Sequence, residues 1–321
     1  MYDVVALGEI LIDFTPYGKS ENGNILFERN PGGAPANVLV MLSNLGLTTS
    51  FISKVGADEF GKFLKETLES YKVDTTGLTI TDEVNTTLAF VHLQPNGDRS
   101  FSFYRKPGAD ITLEEKEVNY KLIDRAKLFH FGSVSMTSEP ARQATLSAIQ
   151  YAKDKGLLIS YDPNLRENLW EDLKEAKKII SDSLYFADIL KVSEEELLFL
   201  ADSSDYKEGT ETLYRNYGIS LIFVTLGENG CFFRYKDKTE IVPPYVVRAI
   251  DTTGSGDAFF GALLYKILEK SHIEEMNIEG LKSCVLFANA AGALAATKRG
   301  GIPALPDLKD ITQLQEANQK I

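Results

Sequence analysis

Short apolar runs rich in β-branched residues alternate with segments of helical periodicity along most of the chain. Strand–helix–strand repetition with strands that are apolar on both faces is typical of a parallel sheet covered by helices on both sides. We therefore predict an α/β fold with three layers and a mostly parallel central sheet. The predicted strands are residues 3–8, 49–56, 126–133, 156–163, 187–193 and 220–227, and the predicted helices are residues 34–45, 59–70, 140–153 and 194–201.

Two stretches break this alternation, residues 10–29 and 86–105. Each has the pattern of a β-hairpin, with Asn-Gly turns at residues 22–23 and 96–97. The second hairpin is apolar on both faces, so both faces need a cover. We predict a small antiparallel β lid, with one face over a ligand and the other against a second copy of the chain in a homodimer; an ordinary edge of the main sheet is the alternative. The α/β core then comprises residues 1–9, 30–85 and 106–321.

The charge balance limits the partners of the chain. Its 321 residues include 34 Lys and Arg against 46 Asp and Glu, a net charge of −12, which repels nucleic acid and anionic membranes. No apolar run reaches the ~18 residues that span a bilayer, and the N-terminal segment lacks the basic region of a secretory signal. Cys231 and Cys284 lie far apart in apolar settings, which suits reduced thiols. We expect a cytoplasmic protein with neither nucleic acid nor membrane as partner.

A glycine-rich segment, DTTGSGDAFFGALL at residues 251–264, leads into a strongly apolar helix. The buried stripe that places the helix start at its Gly-Ser-Gly-Asp consists of Phe260, Leu263, Leu264, Ile267 and Leu268. The first N–H groups of a helix have no intrahelical partner, and the helix dipole is positive there. Because Gly254 and Gly256 have no Cβ, a ligand can approach the backbone. We predict an anion site made without basic side chains.

Asp257 stands beside this predicted anion site. A carboxylate there costs Coulomb energy when the anion binds, and Ser or Asn would cap the helix without that cost. A carboxylate is useful if it takes a proton from a hydroxyl group that attacks phosphorus, which contributes ~10²–10⁴ in rate. From this segment alone, a general base and a simple helix cap are equal alternatives.

A second glycine pair, Gly32-Gly33, opens the predicted helix at residues 34–45. The pair allows close approach of a ligand to the backbone, and Asn37 can donate to and accept from a polyol. Alone this is only a helix start, but paired with residues 251–257 it is much more specific.

With both segments present, the chain resembles the ribokinase-like (PfkB) sugar kinases and, within them, the fructokinases, from residue 3 to residue 305. GGAPANV and DTTGSGDAF match the two signatures of the family. FYRKPGAD, SYDPNLRENLW, KVSEEEL and VTLGENG are similar to fructokinase blocks in the expected order. The resemblance implies a ribokinase-like three-layer sandwich with a β lid, and ATP-dependent phosphorylation of a primary hydroxyl group of a sugar.

The resemblance also implies a role for each matching residue. Asp257 would be the general base, and the anion hole would be the backbone amides of Gly254, Ser255 and Gly256. The residues implied to contact the substrate are Asp13, Gly33, Asn37, Phe103, Arg105 and Arg166. The residues implied to contact ATP are Ser193, Thr225, Gly227, Gly230 and Asn289.

Two metal sites are implied in the same way. Glu196 would hold Mg²⁺ through water, and Ser193 stands where many family members have asparagine; on composition alone, this segment is more typical of a solvated helix start. Several family members also bind a monovalent cation such as K⁺ beside the anion hole, mostly through backbone carbonyl groups. Its implied ligands are Asp251, Thr253, Ala295, Lys298, Gly300 and Ala304, the last standing where the family has serine.

The substrate is left between several hypotheses. Fructose comes first because GGAPAN favours it within the family. A 2-keto-3-deoxygluconate kinase comes second, since Arg105 with Arg166 could supply the extra cation that its substrate carboxylate needs. A ribokinase-like riboside kinase comes third. From another class, a non-catalytic sugar-binding regulator would be expected to lack the base, and Asp257 is present.

Overall fold

In residues 1–93, 99–270 and 276–318, which the computed structural model describes, nine strands form a central sheet and four form a smaller one. The predicted turn at residues 96–97 lies outside these ranges. The strands are β1 (Tyr2–Leu7), β2 (Leu11–Lys19), β3 (Ile25–Gly32), β4 (Thr49–Gly56), β5 (Asp74–Thr81), β6 (Leu88–Leu93), β7 (Arg99–Tyr104), β8 (Ala126–Gly132), β9 (Leu158–Asp162), β10 (Ile189–Ser193), β11 (Leu221–Thr225), β12 (Cys231–Tyr235) and β13 (Lys238–Val242). The helices are α1 (Ala34–Asn44), α2 (Glu59–Ser70), α3 (Tyr120–Ile123), α4 (Ala141–Asp154), α5 (Leu173–Ser183), α6 (Glu194–Ala201), α7 (Tyr206–Tyr217), α8 (Ser255–Leu268), α9 (Ile278–Ala296) and α10 (Leu308–Asn318).

The central sheet has the strand order β13-β12-β11-β10-β9-β8-β1-β4-β5. All pairs from β11 to β5 are parallel, and β12 and β13 add an antiparallel edge. The six predicted strands correspond to β1, β4, β8, β9, β10 and β11, which all lie in the parallel part. The predicted mostly parallel sheet is therefore confirmed.

Helices cover both faces of this sheet, because successive residues of a strand point to opposite sides. In β1, Val4 and Ala6 pack in a core with α1, α8 and α9, whereas Val5 and Leu7 pack in a second core with α4, α5 and α6. The predicted three-layer arrangement is confirmed.

The smaller sheet has the strand order β3-β2-β6-β7. Two antiparallel hairpins, β2–β3 and β6–β7, are joined by parallel pairing of β2 with β6. Because β2 follows β1 and β6 follows β5, both hairpins branch from the carboxyl edge of the central sheet. Ligands of open α/β sheets bind at this edge, so the smaller sheet lies where a lid would close. The division of the chain into a core and a lid at residues 10–29 and 86–105 remains a prediction.

Helix α9 is, among the described residues, the one helix long and apolar enough to cross a membrane by length and composition. It packs against α8, and Leu281, Val285 and Ala288 belong to the core on that face of the sheet. Its apolar composition is thus explained by packing inside the molecule.

Candidate active site

A cleft of about 750 Å³ opens at the carboxyl edge of the central sheet, against the smaller sheet. The connections that follow β1, β9, β10 and β11 leave the sheet at this edge, so residues distant in sequence meet here. The predicted site residues that line the cleft are Asp13, Gly33, Asn37, Phe103, Arg166, Ser193, Glu196, Thr225, Thr253, Gly254, Gly256 and Asp257. Those outside the lining are Arg105, Gly227, Gly230, Asp251, Ser255, Asn289, Ala295, Lys298, Gly300 and Ala304.

Helix α8 begins at the cleft, at the predicted position. Gly254 is its N-cap, with a φ of 76° that favours glycine, and a Cβ there would lie 3.1 Å from the Cα of Gly301. No side chain of the described residues caps this end. The amide of Ser255 already donates to the carbonyl oxygen of Thr252 at 3.2 Å, whereas Gly254 and Gly256 line the cleft. The geometry thus favours these two glycines as anion ligands over Ser255.

Asp257 lies in the first turn of α8 and is only 8% exposed. Its Oδ2 accepts a 2.7 Å hydrogen bond from Nδ2 of Asn37, and its Oδ1 lies 3.5 Å from Nδ2 of Asn164. Burial raises the pKa of Asp257 above its ordinary value, although Lys191, Asn37 and Arg166 oppose this rise. Because the carboxylate makes no capping bond to its own helix, the helix-cap alternative has no support in this geometry.

Asn37 reaches Asp257 from α1, whose first turn also lines the cleft. This helix follows Gly33, which has a φ of 122° and where a Cβ would lie 2.4 Å from the carbonyl oxygen of Glu9. The Oδ1 atom of Asn37 is buried and has no hydrogen-bond partner in the described part of the chain. An unpaired buried acceptor is costly, so this oxygen is available to a ligand hydroxyl group.

Two carboxyl groups, Glu9 and Asp13, stand on the β1–β2 side of the cleft. Burial raises the pKa of Asp13 to about 7; Asp251 and Asp257 add to this effect, and Arg166 opposes it. Glu9, which the sequence analysis missed, is 4% exposed, and burial raises its pKa to about 7 as well. Its signal was a carboxylate directly after an apolar strand, in a position that strand periodicity predicts to be buried.

The Oε1 atom of Glu9 accepts from the amide of Ala34 at 2.9 Å, at the start of α1. Its Oε2 atom is buried with no hydrogen-bond partner in residues 1–93, 99–270 and 276–318. Glu9 therefore holds the amino end of α1 in place and keeps one buried oxygen without a hydrogen-bond partner in the described residues.

Lys191 and Asp162 form a buried ion pair that the sequence analysis also missed. The Nζ atom of Lys191 lies 3.1 and 3.0 Å from the two carboxylate oxygens of Asp162. The prediction of an anion site without basic side chains overlooked Lys191, which lines the cleft and whose Nζ atom would lie 3.2 Å from a Cβ on Gly256. The available signal was a lysine within the apolar strand β10, since a buried charge needs a partner.

Arg105 lies outside the lining of the cleft. Its Nε and Nη2 atoms contact Oδ2 of Asp110 at 2.8 and 2.6 Å. Nη1 donates to Oγ1 of Thr137 at 2.8 Å, and Nη2 donates to the carbonyl oxygen of Val134 at 2.9 Å. These contacts occupy the guanidinium group, so the geometry does not favour Arg105 as a direct sugar ligand. Arg166, in contrast, lines the cleft and is exposed.

The residues implied to contact the nucleotide are spread more widely. Thr225 ends β11 and lines the cleft, and Gly227 and Gly230 adopt positive φ values of 55° and 92° in the turn that follows. Asn289 lies on α9, and its Nδ2 atom donates to the carbonyl oxygen of Pro243 at 2.8 Å. Asn289 therefore fixes the segment after β13, and a contact between its side chain and adenine remains a prediction.

Glu196 and Ser193 form a capping box at the start of α6. The Oγ atom of Ser193 accepts from the amide of Glu196 at 3.1 Å, and Oε2 of Glu196 accepts from the amide of Ser193 at 2.8 Å. The Oε1 atom of Glu196 accepts from the amide of Leu165 at 2.7 Å. The alternative of a solvated helix start holds for Glu194 and Glu195, which are exposed, but not for Glu196, which is buried at the edge of the cleft.

Some of the residues implied to hold a monovalent cation are hydrogen-bonded to one another. Oδ1 of Asp251 accepts from the amide and hydroxyl of Thr253 at 2.9 and 2.7 Å, and Oδ2 accepts from the amide of Gly300 at 3.1 Å. The Nζ atom of Lys298 points instead to Asp310, at 3.9 Å. Lys298 can therefore contribute only through its backbone. The remaining implied positions, Ala295 and Ala304, are buried alanines, which likewise offer only carbonyl groups.

Comparison with known proteins gives matches to one family over nearly the whole chain. The profile of the pfkB family carbohydrate kinases matches residues 1–308. The chain is 46% identical over 305 residues to probable fructokinase-2 of Arabidopsis thaliana, which covers 94% of this chain and 92% of that protein. The crystal structure of fructokinase with bound ATP from Xylella fastidiosa has a TM-score of 0.91 at 31% identity and covers 99% and 100% of the two chains. A fructokinase double mutant from Vibrio cholerae, with fructose, ADP and a potassium ion bound, has a TM-score of 0.89 at 33% identity and covers 98% of each chain.

The chain therefore belongs to the pfkB family of carbohydrate kinases. Within that class it is an ATP-dependent sugar kinase with the ribokinase-like fold, as its resemblance to the family implied.

Proposed function

We propose that the protein is a fructokinase, which transfers the γ-phosphoryl group of ATP to a primary hydroxyl group of fructose. The observation that carries the proposal is the 2.7 Å contact between Asn37 and Asp257 at the open amino end of α8, inside the cleft. It unites the two signature segments of a sugar kinase at one point. Relatives named as fructokinases, including one with fructose and ADP bound, support fructose as the acceptor.

In this proposal Asp257 removes the proton of the attacking hydroxyl group as the phosphoryl group is transferred. Its position beside the helix terminus places the base next to the donors for the developing negative charge. The backbone amides of Gly254 and Gly256 serve as those donors. Asp13 and the unpaired Oδ1 atom of Asn37 orient the sugar by accepting from its hydroxyl groups.

We also propose that Mg²⁺ binds at Glu196 through water. Each carboxylate oxygen of Glu196 accepts one N–H and keeps a lone pair for a metal-bound water, so the donor set fits. Mg²⁺ supplies charge neutralisation at the β- and γ-phosphates when it is bound. A monovalent cation, K⁺, is proposed beside Asp251, bound mainly by carbonyl groups.

A homodimer through the smaller sheet completes the proposal. Along β2, Leu11, Asp13 and Thr15 face the cleft, so the alternate residues face away from it. That outer face carries an aromatic cluster in which Phe90 stacks on Phe14 at 4.8 Å between ring centroids. Phe27 and Tyr104 flank Phe90, both at 5.6 Å, and Tyr104 is 68% exposed. We propose that a second copy of the chain covers these four aromatic residues, the outer aromatic cluster.

A cytoplasmic location remains our prediction, in keeping with the unpaired state of the buried Cys231 and Cys284. The second substrate hypothesis, 2-keto-3-deoxygluconate, is weakened by the engagement of Arg105 with Asp110, which leaves Arg166 as the arginine that lines the cleft.

A coupled assay over a panel of sugars tests the proposal. With Mg²⁺-ATP, we expect fructose to have the highest kcat/KM, ahead of 2-keto-3-deoxygluconate, ribose and ribosides. Turnover of 2-keto-3-deoxygluconate without turnover of fructose would reverse the order of the hypotheses. ATP and sugar binding without turnover of any sugar would favour the non-catalytic regulator.

A further inference from the structure

We propose that Lys191 is a further catalytic residue, whose ammonium group contacts the phosphoryl group in transfer. The inference rests on the proposed anion site at residues 254–257. Lys191 is the middle residue of β10, a strand inside the central sheet, and its side chain is 8% exposed. It reaches the start of α8 beside Gly256, whereas Asn37, on a different element, reaches Asp257.

The amino end of α8 leaves room for this ammonium group. A Cβ on Gly256 would lie 3.2 Å from Nζ and 3.7 Å from Cε of Lys191. The absence of a side chain at residue 256 therefore admits both a ligand and the end of the lysine. An anion held by the amide of Gly256 would thus stand beside a full positive charge as well as the helix dipole.

The ammonium group of Lys191 has at least one N–H donor that Asp162 does not use. An ammonium group has three N–H donors, and the contacts to Asp162 use at most two of them. Asp162 is buried behind Lys191, whereas Lys191 lines the cleft. The remaining donor is therefore available to an acceptor that enters the cleft.

The local charges also require a cation here. Burial alone would lower the pKa of Lys191, but Asp162, Glu196 and Asp257 together raise it above its ordinary value, so the side chain stays protonated. Three carboxylates around one ammonium group would repel a phosphate if that cation were absent. Of the two arginines considered for the site, Arg105 is bound to Asp110 and Arg166 is exposed, which leaves Lys191 as the buried cation beside the helix terminus.

The test compares Lys191→Met with wild type in two measurements. Calorimetry compares the binding of Mg²⁺-AMP-PNP, which has a γ-phosphoryl group, with that of Mg²⁺-ADP, which lacks it. Because this measurement needs no sugar, its result is valid even if the sugar assignment fails. We expect the affinity for AMP-PNP to fall about tenfold or more and the affinity for ADP to change by less than about twofold. In the coupled assay with fructose, kcat should fall by about 10²–10³.

Two controls separate this role from a merely structural one. In Lys191→Met the carboxylate of Asp162 is left unpaired, and the double variant Lys191→Met with Asp162→Asn removes that carboxylate. The double variant should show the same losses of kcat and of AMP-PNP affinity as Lys191→Met. Lys54→Met breaks another buried ion pair, with Glu117 at 2.9 Å, outside the cleft lining; it should lower the melting temperature and leave kcat near wild type. Equal losses of ADP and AMP-PNP affinity, or recovery of turnover in the double variant, would overturn the proposal.

Discussion

At the residue scale, the proposed role of Asp257 as general base requires its carboxyl group to be both buried and ionised. Burial raises its pKa, while the hydrogen bond from Asn37 and the charge of Lys191 lower it. A carboxylate with a raised pKa accepts a proton more readily than an ordinary aspartate. It is still ionised at neutral pH if the neighbouring groups keep its pKa below 7. In the proposed mechanism, the same neighbours would therefore help to set the acid limit of activity.

Asp257→Asn should lower kcat with fructose by about 10² or more, because asparagine cannot take the proton. The binding of ADP and fructose should persist. In wild type, kcat should fall as pH decreases through the pKa of Asp257, since the protonated acid is inactive, and this fall should begin at a higher pH than for an ordinary aspartate. The variant should lose the part of this acid limb that belongs to Asp257, whereas any part due to Asp13 or Glu9, whose pKa values burial raises to about 7, should remain. Near-normal kcat in the variant, with unchanged melting temperature, would remove Asp257 from the role of base.

The residue scale is also where sequence reasoning was least complete. Asp257, Gly254 and Asn37 were predictable because the chemistry of a helix terminus is local. Lys191 and Glu9 were missed because each looks like a single charge in or beside an apolar strand. Their importance depends on partners at Asp162 and Ala34, which only the fold brings near.

At the scale of elements, α1 and α8 form the framework of the site. They pack closely because Gly261 of α8 faces Met41 of α1; a Cβ on Gly261 would lie 2.7 Å from the Cβ of Met41. Asn37 and Asp257 lie on these same helices, about one turn from the contact. The close packing thus sets the distance between the amide group and the carboxylate.

Gly261→Ala should therefore push the two helices apart and affect the site from a distance. Overpacking of a core contact costs about 1–3 kcal/mol, so the melting temperature should drop, and kcat/KM should fall by about tenfold as the Asn37–Asp257 contact lengthens. Gly280→Ala on α9 is the matched control, because its nearest contact is the side chain of Asn277, at 3.3 Å. That control should keep wild-type kcat/KM. Wild-type stability and activity in Gly261→Ala would contradict the role of the contact.

Most of the elements that carry the site were predictable from periodicity. The strands β1, β4 and β8–β11 and the helices α1, α2, α4 and α6 match the predicted segments within a few residues. The strands β12 and β13 were not predicted, because they extend the sheet as an antiparallel hairpin outside the strand–helix alternation. The pairing of β2 with β6 was equally beyond prediction, since the two strands belong to separate hairpins.

At the scale of the whole molecule, the two faces of the smaller sheet have different surroundings. The face with Asp13 and Phe103 lines the cleft, and the opposite face carries the outer aromatic cluster. Exposed aromatic groups in such a patch are typical of an interface. A dimer would then couple closure of the lid to the packing between subunits.

Phe27→Glu combined with Tyr104→Glu should convert the dimer to a monomer. Related by twofold symmetry, the four introduced carboxylates would repel one another at the interface. Light scattering coupled to size-exclusion chromatography measures the mass directly. Tyr185→Glu is the control, since this tyrosine is similarly exposed at 62% but lies outside the smaller sheet. A wild-type protein that elutes as a monomer would contradict the proposed dimer.

The sequence by itself determined the layered α/β architecture and the two glycine-led helix starts, because periodicity and helix-end chemistry depend on neighbours within a few residues. Only the tertiary structure decided which polar and charged side chains meet. Asn37 and Asp257 are 220 residues apart in the chain, and Lys191 and Asp162 are 29 apart. Likewise, the guanidinium group of Arg105 forms an ion pair with Asp110 and does not line the cleft. The strand order brings particular strand ends to a common edge, and burial there makes each long-range pairing strong enough to set the charge of the site.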